Sequence, residues 1–290
     1  MQNSPTQLED LYFTRGSYRL HAVAAGPQDG SLIILLHGFP EFWRSWVSQI
    51  APLAAAGFRV IVPDQRGYNL SSKPRNVRSY VLTELTADVI AIADQLGRER
   101  FFLAGHDWGA AVTWSTALLF PQRIEKLVIV NVPHPSVMRR HLFGNWRQMR
   151  RSWYMFFFQV PWLPERLFRA WNFRFGALAL LRSSRPGTFS CEALAEYRRA
   201  WSQPDCLTGM IHWYRAAFRF RARFPDRTVR PPTRILWGEQ DAFLGAEMAE
   251  ESLRHCSAGE LVRFANASHW LQHEEPEAVA QQMIGFFRAG

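Results

Sequence analysis

The sequence predicts an α/β chain with a mostly parallel central sheet, flanked by helices and carrying an inserted helical cap. Three observations predict it. Short apolar runs alternate with stretches of helical periodicity on both sides of a long interruption. One segment, Phe101 to Ala110, runs from an apolar strand through a turn with glycines at 105 and 109 straight into a helical segment, Ala110 to Leu119. The interruption itself, from Pro133 to about Arg230, is crowded with Arg, Trp and Phe. The expected division is therefore a core over residues 1–133, a cap over 134–230 and a second part of the core over 231–290.

The elements follow in order. Residues 10–14 and 17–24 read as an opening antiparallel pair. Leu32–Leu36 is a buried strand that ends in His37-Gly-Phe-Pro40. Arg59–Val62 leads into the turn Asp64-Gln-Arg-Gly67, where Asp64 and Arg66 read as structural loop residues. Leu82, Leu85, Val89, Ile92 and Leu96 recur at helical spacing, with Gly97 as the stop. Leu127–Val132 is the strand before the cap. Arg234–Trp237 and Glu260–Phe264 are apolar strands beyond it, and a closing helix starts at Pro276.

The turn Gly105-His-Asp107-Trp-Gly109 has the pattern small-x-nucleophile-x-small. Such a strained strand-to-helix turn lifts one side chain above the sheet. Here the apex is Asp107, and a carboxylate needs no base to act as a nucleophile. The plainer reading is a helix N-cap, a position Asp favours. Two further signals come downstream in nucleophile, acid, histidine order. Trp237-Gly-Glu239-Gln-Asp241 closes a strand with two carboxylates, either of which could orient a base. Asn266-Ala-Ser268-His269-Trp270 follows the last strand, with His269 as candidate general base. His269 and His273, four apart, would share a helix face and raise metal binding as an alternative. No glutamate lies between them in the zinc-protease arrangement, and no third ligand is evident, so no metal is expected.

Taken together, His37-Gly-Phe-Pro40, Asp64-Gln-Arg-Gly67, Gly105-His-Asp-Trp-Gly-Ala110, Trp237-Gly-Glu-Gln-Asp241 and Ser268-His269 resemble the epoxide hydrolases of the α/β-hydrolase fold. The resemblance runs from about residue 10 to the end. It implies an α/β-hydrolase fold with a helical lid, and no cofactor. It implies Asp107 as nucleophile, His269 as base and Asp241, rather than Glu239, as the acid that orients it. It implies that the amides of Phe39 and Trp108 form the oxyanion hole. Tyr154, ahead of Phe156-Phe-Phe-Gln-Val-Pro161, and Tyr214, in His212-Trp-Tyr-Arg215, fall where the family carries two catalytic tyrosines. Packing is the alternative for both. The chain has 7 Tyr against 22 Phe and 12 Trp, so Tyr at both places is not a matter of abundance. Phe39, Trp108 and Trp270 are the expected pocket lining.

The tyrosines bear on the class of reaction. An opening epoxide releases a strongly basic alkoxide, which needs a proton donor; a halide leaves as a stable anion. Haloalkane and haloacetate dehalogenases share most of these motifs and are the runner-up. They usually carry a polar residue in place of Phe39, or Arg in place of Trp108, and this chain has neither. A non-catalytic ligand-binding protein of the same fold is the third reading, and the full set of motifs counts against it.

Composition bounds the rest. The 290 residues, 48% hydrophobic, suffice for one large domain plus a lid. No apolar run is long enough to span a bilayer. Met1 to Asp10 lacks a basic region followed by an apolar core, and the three cysteines (191, 206, 256) form no C-x-x-C pair; both point to the cytoplasm. Residues 134–230 hold 18 Arg against 5 acidic residues, a net +13, whereas the remainder is −4. A solvated helical surface is the plainer reading. Attraction to anionic lipid, or to a carboxylated epoxide, is the functional one. No nucleic-acid motif accompanies the charge. The expected partner is a small, apolar epoxide.

Overall fold

The computed structural model describes residues 7–220 and 222–289. The reading of the first residues as free of an export signal falls largely outside them. The core elements are β1 (Glu9–Arg15), β2 (Tyr18–Ala25), β3 (Leu32–Leu36), α1 (Val47–Ala55), β4 (Arg59–Pro63), α2 (Leu82–Gln95), β5 (Phe101–His106), α3 (Trp108–Leu119) and β6 (Ile124–Val130). Six helices follow: α4 (Pro135–Gly144), α5 (Trp146–Arg151), α6 (Trp153–Phe157), α7 (Leu163–Ser183), α8 (Cys191–Trp201) and α9 (Cys206–Arg219). Helix α7 is broken by non-helical backbone at Ala170–Phe173. The chain closes with β7 (Thr233–Gly238), α10 (Glu247–Leu253), β8 (Gly259–Phe264), α11 (Leu271–Glu274) and α12 (Pro276–Arg288).

The eight strands form one sheet in the order β1-β2-β4-β3-β5-β6-β7-β8. Only β1, β2 and β4 pair antiparallel; from β4 to β8 every pairing is parallel. This is the α/β-hydrolase architecture the sequence predicts. Parallel strands need both faces covered, which is why β3 reads as an unbroken apolar run. Its Ile33 and Leu35 enter one core with Trp46, Leu53, Met283 and Phe287, from the α1 and α12 side. Its Leu32, Ile34 and Leu36 enter the other, with Leu85 and Val89 of α2, Val112 and Trp114 of α3, and Leu180, Trp201 and Trp213 of the inserted helices.

The strand before the insertion differs from expectation. It starts at Ile124 and stops at Val130, not at Val132. Asn131 has φ 53°, a left-handed conformation that ends the strand. Asp64 and Arg66 do have structural contacts. Asp64 accepts from the His21 ring (2.7 Å), Asn69 (2.8 Å) and the Trp43 amide (3.0 Å). Arg66 grips the Asp88 carboxylate through Nε (2.9 Å) and Nη2 (2.5 Å).

Candidate active site

Asp107 sits alone between the end of β5 and the start of α3, at φ 49° and ψ −122°. That backbone is costly for a residue with a Cβ, and it persists because its surroundings over-determine it. Gly105 and Gly109 are part of those surroundings. A Cβ on Gly105 would strike the Gly109 carbonyl, and one on Gly109 would strike the carbonyls of Leu36 and His37. The helix can thus start one residue after the strand ends, leaving the Asp107 side chain above the sheet.

Asp107 occupies the N-cap position of α3 but caps nothing. Its Oδ1 instead accepts the Phe39 amide at 2.7 Å. The amide of Trp108, first residue of α3, has no acceptor within the helix. One backbone donor, the Phe39 amide, thus already engages the carboxylate, and the Trp108 amide next to it in the chain is left without a helical acceptor.

Oδ2 of Asp107 faces Nε2 of His269 at 3.7 Å. His269 Nδ1 lies 2.7 Å from Oδ2 of Asp241, and both side chains are buried. Asp241 is fixed in turn. Its Oδ1 accepts the amides of Phe243 (2.7 Å) and Leu244 (2.9 Å), and its Oδ2 accepts Nδ2 of Asn131 (2.9 Å). The structure therefore brings Asp241 to the imidazole. Glu239, two residues closer to β7, points away to Arg263 at 3.0 Å.

Electrostatics follow from that grouping. Burial alone would push the His269 pKa down, but the charges and hydrogen bonding of Asp241 and Asp107 raise it to about 10. Burial alone would push the Asp107 carboxyl up. Pairing with His269, the nearby His106 and the Phe39 amide outweigh it and hold the carboxyl below 3.8. Asp107 is therefore ionised and opposite an imidazolium.

Tyr154 lies on α6 and Tyr214 on α9, their rings edge to face at 5.9 Å. Tyr214 also meets Trp108 at 5.0 Å and Phe39 at 5.2 Å. Burial raises both phenols, and the Asp107 charge raises them further. Both stay protonated, as donors must. Arg215 holds this pair of helices together. It pairs with Glu165 at 2.6 Å and donates to the carbonyls of Phe158 (3.1 Å) and Val160 (2.8 Å) in the segment after α6. The surrounding wall is apolar, with Leu142, Met155, Phe158 and Ile211 packed around Tyr214. Trp270 is placed differently from Phe39 and Trp108. It is buried behind His269, edge to face at 5.2 Å, with its indole bonded to Ser183 (2.9 Å).

A second buried polar cluster was not read from the sequence. Glu41, the residue after the Phe39-Pro40 turn, accepts from His273 (2.6 Å) and from the Tyr197 hydroxyl on α8 (2.8 Å). It lies 3.1 Å from Nδ1 of His106, the residue before Asp107. His106 Nε2 in turn donates to the His269 carbonyl at 2.8 Å. The cluster thus ties the Asp107 turn to the His269 loop from behind. It also corrects the expectation that His269 and His273 share a helix face. His269 precedes α11, and the two rings point to different carboxylates. Among the described residues no group of three or more His, Cys, Asp or Glu side chains is placed to hold a metal ion.

Comparisons with known proteins identify the family. Residues 31–276 match the model of the alpha/beta hydrolase fold family. The chain is 43% identical to an AB hydrolase superfamily protein of Bacillus subtilis, over 93% of this chain and 94% of that one. It is 39% identical to epoxide hydrolase 4 of Mus musculus, over 93% of this chain and 76% of that one. A Bacillus megaterium epoxide hydrolase solved with an inhibitor superposes at a TM-score of 0.88, with 29% identity over 96% of this chain and all of that one. The protein is an enzyme of the α/β-hydrolase class. Within that class it belongs to the epoxide hydrolase family.

Proposed function

We propose that this enzyme converts apolar epoxides and water to vicinal diols through an ester of Asp107, with residues 134–230 as its lid. One observation carries the reading. Two phenols held protonated, Tyr154 and Tyr214, are grouped with an ionised carboxylate that already has a backbone donor. In the first step an Asp107 oxygen attacks an epoxide carbon, the C–O bond breaks, and a tyrosine proton passes to the departing oxygen. In the second, His269, oriented by Asp241, takes a proton from water, which adds to the ester carbonyl carbon. The amides of Phe39 and Trp108 stabilise the oxyanion. Collapse breaks the ester C–O bond; the departing diol oxygen takes the proton held by His269, and the Asp107 carboxyl then gives its own proton to His269, which restores the carboxylate–imidazolium pair.

The first step also prepares the second. The charge of Asp107 is one of the two that hold a proton on His269. Alkylation removes that charge, so the imidazolium gives up its proton more readily, to the tyrosinate that the first step leaves, just when a base is needed.

The test is to incubate the protein with a small aryl epoxide and, separately, with a haloalkane, and to assay diol and halide. Diol without halide is the expected result. Tyr154→Phe and Tyr214→Phe should each slow ester formation about tenfold, and the double variant on the order of 10³-fold, within the range of general acid catalysis. Halide release, or a double variant with full epoxide activity, would overturn the reading.

A further inference from the structure

The helices that follow β6 carry large apolar side chains on their exposed as well as their buried sides. Between residues 142 and 158 the inward face carries Leu142, Met155 and Phe158, all buried near Tyr214. The outward face carries Phe143, Trp146, Met149, Trp153, Phe156 and Val160, all exposed. Trp146 and Trp153 keep 61% and 63% of their surface. Five of them lie on α4–α6, and Val160 follows α6. Trp171 (71% exposed), within the break in α7, and Phe175, just past it, add to the exposed apolar surface. Scattered exposed apolar residues are ordinary; a stripe of large ones is not. Large exposed apolar patches mark sites for other protein or for lipid.

The charge around the stripe selects between those. The ion pairs of this segment engage Arg140, Arg185, Arg199, Arg215 and Arg230. Among the described residues, Arg147, Arg150, Arg151, Arg166, Arg169 and Arg174 have no such partner, and all are exposed. Arg147 and Arg150 flank the ring of Trp146, and Arg166 that of Trp162. A second copy docking through this face would set two +13 segments against each other. An anionic surface would be attracted, and the −4 remainder of the molecule would orient away from it. Alternating Trp, Phe and Arg suits the headgroup layer, where indole and guanidinium each have an apolar body and a polar contact.

We infer that the outer face of α4–α7 docks on anionic lipid membranes. The test uses the full chain and does not depend on the reaction. Co-sedimentation is measured with vesicles of phosphatidylcholine alone, and with vesicles containing about a third phosphatidylglycerol, in about 0.1 M and about 0.5 M salt. Binding is expected only to the phosphatidylglycerol vesicles, weaker in the higher salt. Arg147→Glu/Arg150→Glu should lower the affinity by at least about 25-fold, at about fivefold per basic residue near the surface. Trp146→Ser/Trp153→Ser should lower it about tenfold, because apolar insertion is lost. Circular dichroism melts should match the parent, since the changed side chains are exposed. Equal binding to both vesicle types, or to neither, overturns the inference. So does a concentration-dependent dimer that the Trp variant dissolves, which would make the stripe a subunit interface.

Discussion

Asp107 Oδ2 and His269 Nε2 stand 3.7 Å apart, an ion-pair contact rather than a short hydrogen bond. His269 is held instead from its far side by Asp241 at 2.7 Å. That asymmetry suits a nucleophile that must leave its partner and a base that must keep its orientation. Asp107 has its own support in the Phe39 amide, so it can attack without moving His269.

The two proposed steps should therefore respond differently to pH. The Asp107 carboxyl is held below the ordinary carboxylate range and stays ionised through mildly acidic pH, so ester formation should stay flat down to about pH 4. Ester hydrolysis needs neutral His269, so its rate should rise with pH to a plateau. His269→Gln should form the ester at near the parent rate and then hydrolyse it on the order of 10³-fold more slowly. Rapid quench and intact-protein mass spectrometry read both steps. A variant that turns over normally would remove His269 from the mechanism.

Asp241 and Glu239 offer a sharper contrast. Asp241→Asn keeps the size of the side chain but loses the charge that holds the imidazolium and its tautomer. Turnover should fall on the order of 10³–10⁴-fold. Glu239→Gln affects only a partly exposed pair with Arg263 and should cost less than about twofold. Steady-state kinetics of the two variants decide it. The reverse ranking would mean that the wrong acid had been identified.

How much of this was legible in the sequence depends on chain distance. The Asp107 turn announces itself through Gly105 and Gly109, because the constraint acts within five residues. The sheet is legible because strands buried on both faces must be apolar throughout. The Glu41 cluster is not legible that way. Glu41 meets His106, Tyr197 and His273 across 65, 156 and 232 residues, and no local periodicity encodes such a meeting. Asn131 was hidden for another reason. It follows an apolar run and looks like the next strand residue, yet a left-handed φ turns its amide to Asp241 and its Oδ1 to the Gly238 amide at 2.9 Å. Glu239 and Asp241 are equivalent by type and spacing. The family resemblance favours Asp241, and the turn that buries it while exposing Glu239 is the physical reason.

The Glu41 cluster makes a prediction about stability. Burial pushes the Glu41 carboxyl up, but the charges of His273 and His106 outweigh it and hold it below its ordinary 4.5. A carboxyl depressed by folding contributes stability that is fully present above its unfolded value. That contribution is lost as pH falls through the folded one. The melting temperature should therefore decline as pH drops below about 5, and Glu41→Gln should flatten that decline. At neutral pH the variant weakens a buried hydrogen-bond cluster, at a cost of about 1–3 kcal/mol. That corresponds to a drop in Tm of several degrees. Calorimetry from pH 4 to pH 8 measures both. An unchanged slope would show that Glu41 does not carry the acid sensitivity.

The last prediction follows the oxygen atom. In the proposed route water attacks the carbonyl carbon of the Asp107 ester, not the substrate carbon. The oxygen delivered to the diol is then one that belonged to the Asp107 side chain. Were Asp107 only a base acting on water, solvent oxygen would enter the product directly. The diol is the same in both cases, so product identity cannot separate them. A single turnover in ¹⁸O-water with enzyme in excess can. The ester route requires mostly unlabelled diol, with label retained in the peptide containing Asp107. Geometry favours that route. The Phe39 amide is bonded to the Asp107 carboxylate itself, where a tetrahedral intermediate would develop charge. A donor so placed stabilises an oxyanion on Asp107 and does nothing for one on water. Fully labelled diol in the first turnover would remove Asp107 as the nucleophile, even if diol formation were confirmed.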